Sequence, residues 1–230
     1  MRWIALIPLK PPAEGKQRLS GRLDPAARAR LGRAMFHHVA AEIGAVPRIG
    51  TTVVLSRTTP ERWAGGWVKD RGGGLNAELE DARKSLGRGP LLVIHADLPL
   101  LRSADVELLL ADAEAAGLAI APDRHGSGTN ALALADNRPF AFQFGADSFA
   151  AHRAQAGARC RVLTRQGLAL DVDTPDDLDA ALRCGSEMRQ HLAFEQMQAF
   201  PRDGRIEAGD QGLEGHRPVA SGQFQALGRR

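Results

Sequence analysis

Short apolar runs alternate with amphipathic stretches over residues 4–184. Ile4-Ala5-Leu6-Ile7 is an unbroken apolar run of strand length, the pattern of a strand covered on both faces. Asp24 followed by Pro25 reads as an N-cap with proline at the first helical position. Leu31, Met35, Val39 and Ile43 then recur every four residues, one core-facing stripe of a helix. The β-branched run 51–55 predicts a second strand. Gly72-Gly73-Gly74 turns the chain into a helix over 76–86, and a third strand follows over 91–94. Ser103 opens a helix that runs to 116, and a strand over 118–121 comes next. Two shorter strands are expected over 130–135 and 140–144, a helix over 147–156, and strands over 160–164 and 168–172. Thr174, Pro175 and Asp177 then start a last core helix, with Asp176 and Asp177 as first-turn carboxylates. Alternating strands and helices imply an α/β fold, a mainly parallel sheet with helices on both faces. Beyond Cys184 the periodicity decays. One more helix fits 187–200, and 201–230, rich in Gly, Gln and Arg, reads as a flexible arm. The chain therefore divides into a catalytic domain over 1–184 and a C-terminal extension over 185–230.

Composition narrows the class without naming it. A 43% hydrophobic and 25% charged content is ordinary for a globular protein of this size. Cys160 and Cys184 form no C-x-x-C pair, so a zinc site is not expected and a reducing, cytoplasmic setting is. The apolar stretch at residues 3–9 is too short for a signal peptide's core, and no segment is long enough to span a bilayer. Residues 1–50 carry nine Lys/Arg against three Asp/Glu, a net +6 within a chain of net +3. The aromatics that would accompany single-strand nucleic-acid binding are scarce, with no Tyr. A nucleoside triphosphate accounts for the basic stretch as well as a solvated helix face does, and neither nucleic acid nor membrane is an expected partner.

Candidate chemistry gathers where apolar runs end. His95-Ala96-Asp97-Leu98-Pro99 follows the strand over 91–94, and Asp171 and Asp173 close the run over 168–172. Strands of one sheet would bring these three carboxylates to its carboxyl edge, where open α/β sheets bind ligands. Such a set suits a hard divalent cation, with Mg²⁺ held by carboxylates and substrate phosphates. Lys10, Lys16 and Arg18 follow the first strand and can clamp a triphosphate, although the loop lacks the Walker A signature. Gly126-Ser127-Gly128-Thr129-Asn130-Ala131 matches G-x-G-x-x-A but runs into a strand pattern, so it reads as a loop that lets backbone approach an anion. Gly145 and Ser148 lead into a helix whose N-terminus can bind phosphate or carboxylate. His152 lies one turn further on the same helix face. His95 reads as a packed histidine. Asp171-x-Asp173 also has aspartyl-phosphatase spacing, but Pro175 stands where those enzymes carry Thr or Val.

In order and spacing these motifs resemble the guanylyltransferases that make the precursor of coenzyme F420, acting on 2-phospho-L-lactate or phosphoenolpyruvate. The resemblance is carried over residues 4–183 by Ile7-Pro8-Leu9-Lys10, Lys16-x-Arg18-Leu19, Gly74-Leu75-Asn76, Ala96-Asp97-Leu98-Pro99, Ala121-Pro122-Asp123-Arg124, Gly128-Thr129-Asn130-Ala131-Leu132, Phe144-Gly145-x-x-Ser148-Phe149-x-x-His152 and Leu170-Asp171-Val172-Asp173-Thr174-Pro175. It implies a nucleotide-diphosphosugar-transferase-like, Rossmann-like fold that transfers GMP from GTP to a small phosphorylated acid and releases pyrophosphate. By position, Asp97, Asp171 and Asp173 would hold Mg²⁺, with Lys16 among the catalytic groups. Lys10, Lys16 and Arg18 would face the triphosphate, Gly74 and Asn76 the nucleoside, and Thr129, Gly145 and Ser148 the acceptor. Gln17 stands where the family pattern has a small hydroxyl residue. Phosphoenolpyruvate, 2-phospho-L-lactate and 3-phosphoglycerate all stay open as acceptors, and the oligomeric state is not legible, a homo-oligomer included. Two other readings fit the same residues: a Mg-dependent nucleotidyltransferase acting on a sugar phosphate or molybdopterin, and a non-catalytic nucleotide-binding regulator.

Overall fold

The computed structural model describes residues 2–11, 15–87 and 89–184. The expected helix over 187–200 and the arm over 201–230 lie outside them. Seven strands form one sheet: β1 (Trp3–Pro8), β2 (Ile49–Ser56), β3 (Gly66–Lys69), β4 (Leu91–Ile94), β5 (Leu118–Pro122), β6 (Thr129–Leu134) and β7 (Cys160–Val162), in the order β3-β2-β1-β4-β6-β5-β7. All pairings are parallel except those of β6, which runs against both β4 and β5. The reversal brings the start of β6 to the carboxyl end of β4, where His95 N donates to Asn130 O at 2.9 Å.

Strand alternation feeds two core layers. Trp3, Ala5 and Ile7 of β1 pack with Phe36, Val39 and Ile43 of α1 (Pro25–Gly44) and with Leu109 and Leu110 of α3 (Ser103–Ala116). On the opposite face Leu6, Val93 and Ile120 meet Leu79 and Ala82 of α2 (Leu75–Leu86) and Ala156 of α4 (Ser148–Ala156). A third cluster joins Leu31 and Met35 of α1 to Leu170, Val172 and Leu178, which seats α6 (Pro175–Cys184) against the start of α1. Asp24 caps α1 by accepting from Ala27 N at 2.7 Å. At α6 the Thr174 hydroxyl accepts from Asp177 N, and Asp177 Oδ2 accepts from Thr174 N at 2.7 Å, a reciprocal capping box.

Two expected strands are absent and one strand is unexpected. β3 was not anticipated, because it is a four-residue edge strand with alternating exposed positions. Residues 140–144 are irregular, not a strand. Their Phe140/Phe142/Phe144 alternation mimics one, but side chains satisfy the backbone: Glu80 accepts from Phe142 N, His152 from Gln143 N and Asn76 from Phe144 N. Residues 168–172 likewise form no strand. One helical turn, α5 (Gln166–Ala169), is followed by an extended run. The buried Asn130 amide donates to the Leu168 and Ala169 carbonyls, which diverts them from any ladder.

Candidate active site

The carboxylates meet at the predicted edge, although Asp171 and Asp173 arrive on the extended run and not on a strand end. Val172 N donates to Asp97 O at 3.2 Å, which lays 171–173 alongside the segment after β4. Ligand oxygens of Asp97, Asp171 and Asp173 lie within 4.8 Å of one another. Lys16 Nζ bridges them, donating to Asp97 Oδ2 and, at 2.9 Å, to Asp173 Oδ1. Its backbone is left-handed, φ 56°, a conformation that non-glycine residues adopt at some cost and that recurs at functional sites. Burial works against the Lys16 charge, but Asp97 and Asp173 outweigh it and raise its pKa. Burial also opposes the Asp97 charge, yet Lys16, with help from His95, holds that carboxyl below its ordinary value. Asp171 goes the other way. Burial, and then the Asp97 charge, push its pKa up, and a 3.1 Å bond from Asn130 only partly offsets this.

One atom shows what the cluster lacks. Asp97 Oδ1 is buried and has no hydrogen-bond partner, a costly state for a carboxylate oxygen. Three clustered carboxylates, one of them with an unsatisfied buried oxygen, fit a hard divalent cation such as Mg²⁺. Asp177 supports the cluster from behind: it accepts from Asp173 N at 3.2 Å and pairs with Arg124 at 2.6 Å. Burial opposes its charge, but the Thr174 bonds, the Asp173 N–H and Arg124 together hold its pKa low.

The residues expected to face the acceptor lie apart from the carboxylates, linked to them by the adjacent β6 residues Thr129 and Asn130. Thr129 Oγ1 lies 3.0 Å from His152 Nδ1. Gly145 (φ 133°) and Asp147 (φ 54°) turn the chain into α4, which Ser148 opens as a buried residue. Phe149 N donates to Ser127 O at 3.1 Å, which ties this turn to the loop over 123–128. Asp123 braces that loop by accepting from Ser127 N and His125 N. A Cβ on Gly128 would come within 2.8 Å of Asp123 Oδ2, so a side chain there would have to displace the Asp123 carboxylate that braces the loop. The loop leads into β6, not a helix, which removes the dinucleotide-fingerprint reading.

Other expected contacts are placed differently. Gly74 caps α2 and is exposed, while the Asn76 amide is spent on Phe144, donating to its carbonyl at 3.0 Å and accepting its N–H at 2.7 Å. Lys10 is exposed after β1, and Arg18 is exposed on the short turn Gln17–Leu19. Of the three basic residues, Lys16 is the one drawn to the carboxylates. Asn130 received no role from the sequence. A lone amide inside an otherwise apolar strand was the available signal.

The sheet, with its single reversed strand and ligand edge, matches solved structures. One, from Desulfovibrio desulfuricans G20, is described as a nucleotide-diphospho-sugar transferase. It aligns with a TM-score of 0.69 at 18% identity, covering 86% of this chain and 96% of that one. A nucleotidyl transferase from Methanothermobacter aligns with a TM-score of 0.58 at 14% identity, over 80% and 99%. The fold is thus of the nucleotide-diphospho-sugar transferase type. Residues 3–198 match the family described as "Guanylyl transferase CofC like", and the chain belongs to that family. Relatives named phosphoenolpyruvate guanylyltransferase include those of Sphaerobacter thermophilus (38% identity, 78% of this chain and 92% of the relative) and Streptomyces coelicolor (34%, 80% and 92%). Another comes from Rubrobacter xylanophilus (39%, 77% and 92%). Among the described residues no helix is long and apolar enough to cross a membrane.

Proposed function

We propose that this guanylyltransferase transfers GMP from GTP to phosphoenolpyruvate and releases pyrophosphate, a step toward coenzyme F420. The observation that carries the proposal is the Lys16–Asp97–Asp173 cluster with Asp171, which is held by Asn130, the residue next to Thr129 on β6. The acceptor is the one named in the relatives. An oxygen of the acceptor phosphate attacks the α-phosphorus of GTP in line. The new P–O bond forms as the bond to the β-phosphate breaks, and the electron pair leaves with pyrophosphate. No covalent enzyme intermediate is needed, so the protein's work is positioning and charge neutralisation.

Asp97, Asp171 and Asp173 would hold Mg²⁺, which when bound neutralises charge on the phosphate oxygens. Lys16 would offer its charge to the triphosphate beside that cluster, with Lys10 and Arg18 on the same stretch of chain. The turn over 74–76 borders the nucleoside, with Asn76 acting through the Phe144 backbone that it holds. Thr129, Gly145 and Ser148 bind the acid's phosphate and carboxylate. The reaction belongs to the cytoplasm, whose reducing poise suits the free Cys160 and Cys184.

The test is pyrophosphate release from GTP and Mg²⁺ with phosphoenolpyruvate, 2-phospho-L-lactate or 3-phosphoglycerate offered separately, and with other nucleoside triphosphates as controls. Release dependent on GTP and fastest with phosphoenolpyruvate is expected. Faster release with another acid would reassign the acceptor, and none with any acid would overturn the proposal.

A further inference from the structure

His152 stands between the two halves of the acceptor side and touches both. It is wholly buried in α4, with its ring 4.9 Å from Phe144 and 5.6 Å from Phe140, centroid to centroid. Each ring nitrogen has one partner. Nε2 lies 2.9 Å from Gln143 N, and Nδ1 lies 3.0 Å from Thr129 Oγ1. A backbone N–H can only donate, so Nε2 must be a bare acceptor. The proton of a neutral ring is then on Nδ1, and Nδ1–H donates to the threonine oxygen. A hydroxyl that accepts from behind keeps its own proton free to donate forward. Burial lowers the His152 pKa to about 4, which keeps the ring neutral in the working pH range.

The bond to Gln143 has a second effect. Gln143 precedes Phe144, whose backbone Asn76 holds at both N–H and carbonyl, and Gly145 follows directly. His152 and Asn76 thus fix consecutive peptides of the turn that leads to Gly145 and Ser148. One imidazole sets both the hydroxyl direction of Thr129 and the position of that turn.

We infer that His152 is a positioning residue of the acceptor subsite, a neutral imidazole that turns the Thr129 hydroxyl proton toward the bound acid. The inference rests on the reading of Thr129 and Gly145 as acceptor contacts. It assigns His152 no contact with substrate.

The experiment combines imidazole ¹⁵N spectroscopy of the wild type with kinetics of His152→Gln, Thr129→Val and the double variant. In His152→Gln the amide oxygen can still accept from Gln143 N, while the ring's fixed Nδ1–H is replaced by a mobile amide N–H, so the turn stays held and the orienting bond to Thr129 is weakened. The spectrum should show the Nδ1–H tautomer, unchanged between pH 6 and 8. His152→Gln should raise the KM for phosphoenolpyruvate about tenfold, the scale of one hydrogen bond, with kcat and the KM for GTP within about twofold of wild type. The double variant should be no worse than Thr129→Val, because the histidine acts through the threonine. An Nε2–H or charged ring would overturn the inference even if the variant failed to fold. So would equal rises in both KM values or additive losses in the double variant. Failure of the underlying functional reading looks different: wild-type protein inert with every phosphorylated acid, which would remove the acceptor and this role for His152 together.

Discussion

The buried His152 makes folding stability depend on pH in a way that can be worked through. Its pKa falls from 6.5 to about 4 because burial disfavours the charged ring. Between those values the unfolded chain takes up a proton that the folded chain refuses. Acid therefore favours unfolding: the contribution is complete above pH 6.5, declines as pH falls and is exhausted below pH 4. The gap between the two pKa values corresponds to about 3 kcal/mol in full, and about 2 kcal/mol is already lost at pH 5. Carboxylates titrate in the same range, so wild type must be compared with His152→Gln, in which their contributions cancel. Urea unfolding of both proteins at pH 7 and pH 5 gives the comparison. The wild type should lose about 2 kcal/mol more than the variant over that interval, and the pH-independent cost of the substitution drops out. Parallel losses in the two proteins would mean that the ring is not held neutral by burial, and would refute the reasoning.

Other expectations follow from the carboxylates and their supports. Asp97→Asn and Asp173→Asn should each lower kcat roughly 100-fold or more, several kcal/mol of charge stabilisation, with circular dichroism unchanged. Near-normal turnover in both would remove the metal-site assignment. Ser148→Ala should raise the KM for the acceptor while leaving GTP affinity, measured by calorimetry, close to wild type; a loss of GTP affinity would show that the site is divided differently. Asn130→Ala strands the carbonyls of Leu168 and Ala169. It should cost about 2 kcal/mol and lower Tm by roughly 4–8 °C, and an unchanged Tm would contradict the support drawn for Asp171.

The helices and buried strands were legible because each carries its own signal. The four-residue stripe of α1 and the Asp24 cap are local, and so is the run Leu91–Ile94. Failures came where tertiary partners overrode that signal. Phe140, Phe142 and Phe144 alternate like a strand, but the donors and acceptors that meet their backbone lie on α2 and α4. Leu168, Leu170 and Val172 alternate too, yet they divide between two core clusters across the helical turn of α5. The three aspartates could be read as one group because each ends an apolar run, whatever its secondary structure. The supports were hidden. Asn130 and the His152–Thr129 bond join residues 23 to 41 positions apart, and no sequence window reports such contacts.

The reversal of β6 has a consequence for how this enzyme can change. Thr129 and Asn130 are adjacent, and side chains of adjacent strand residues point to opposite faces. One reaches the histidine beneath the acceptor turn, the other the carboxylate of Asp171. A single peptide therefore gauges the separation between the substrate's seat and the charged centre. Inserting or deleting one residue there would interchange the two duties and not merely stretch the site. If the acceptor sits as proposed, a change of acceptor is expected to come through the flanking loops, 123–128 and 143–148, with the gauge left untouched.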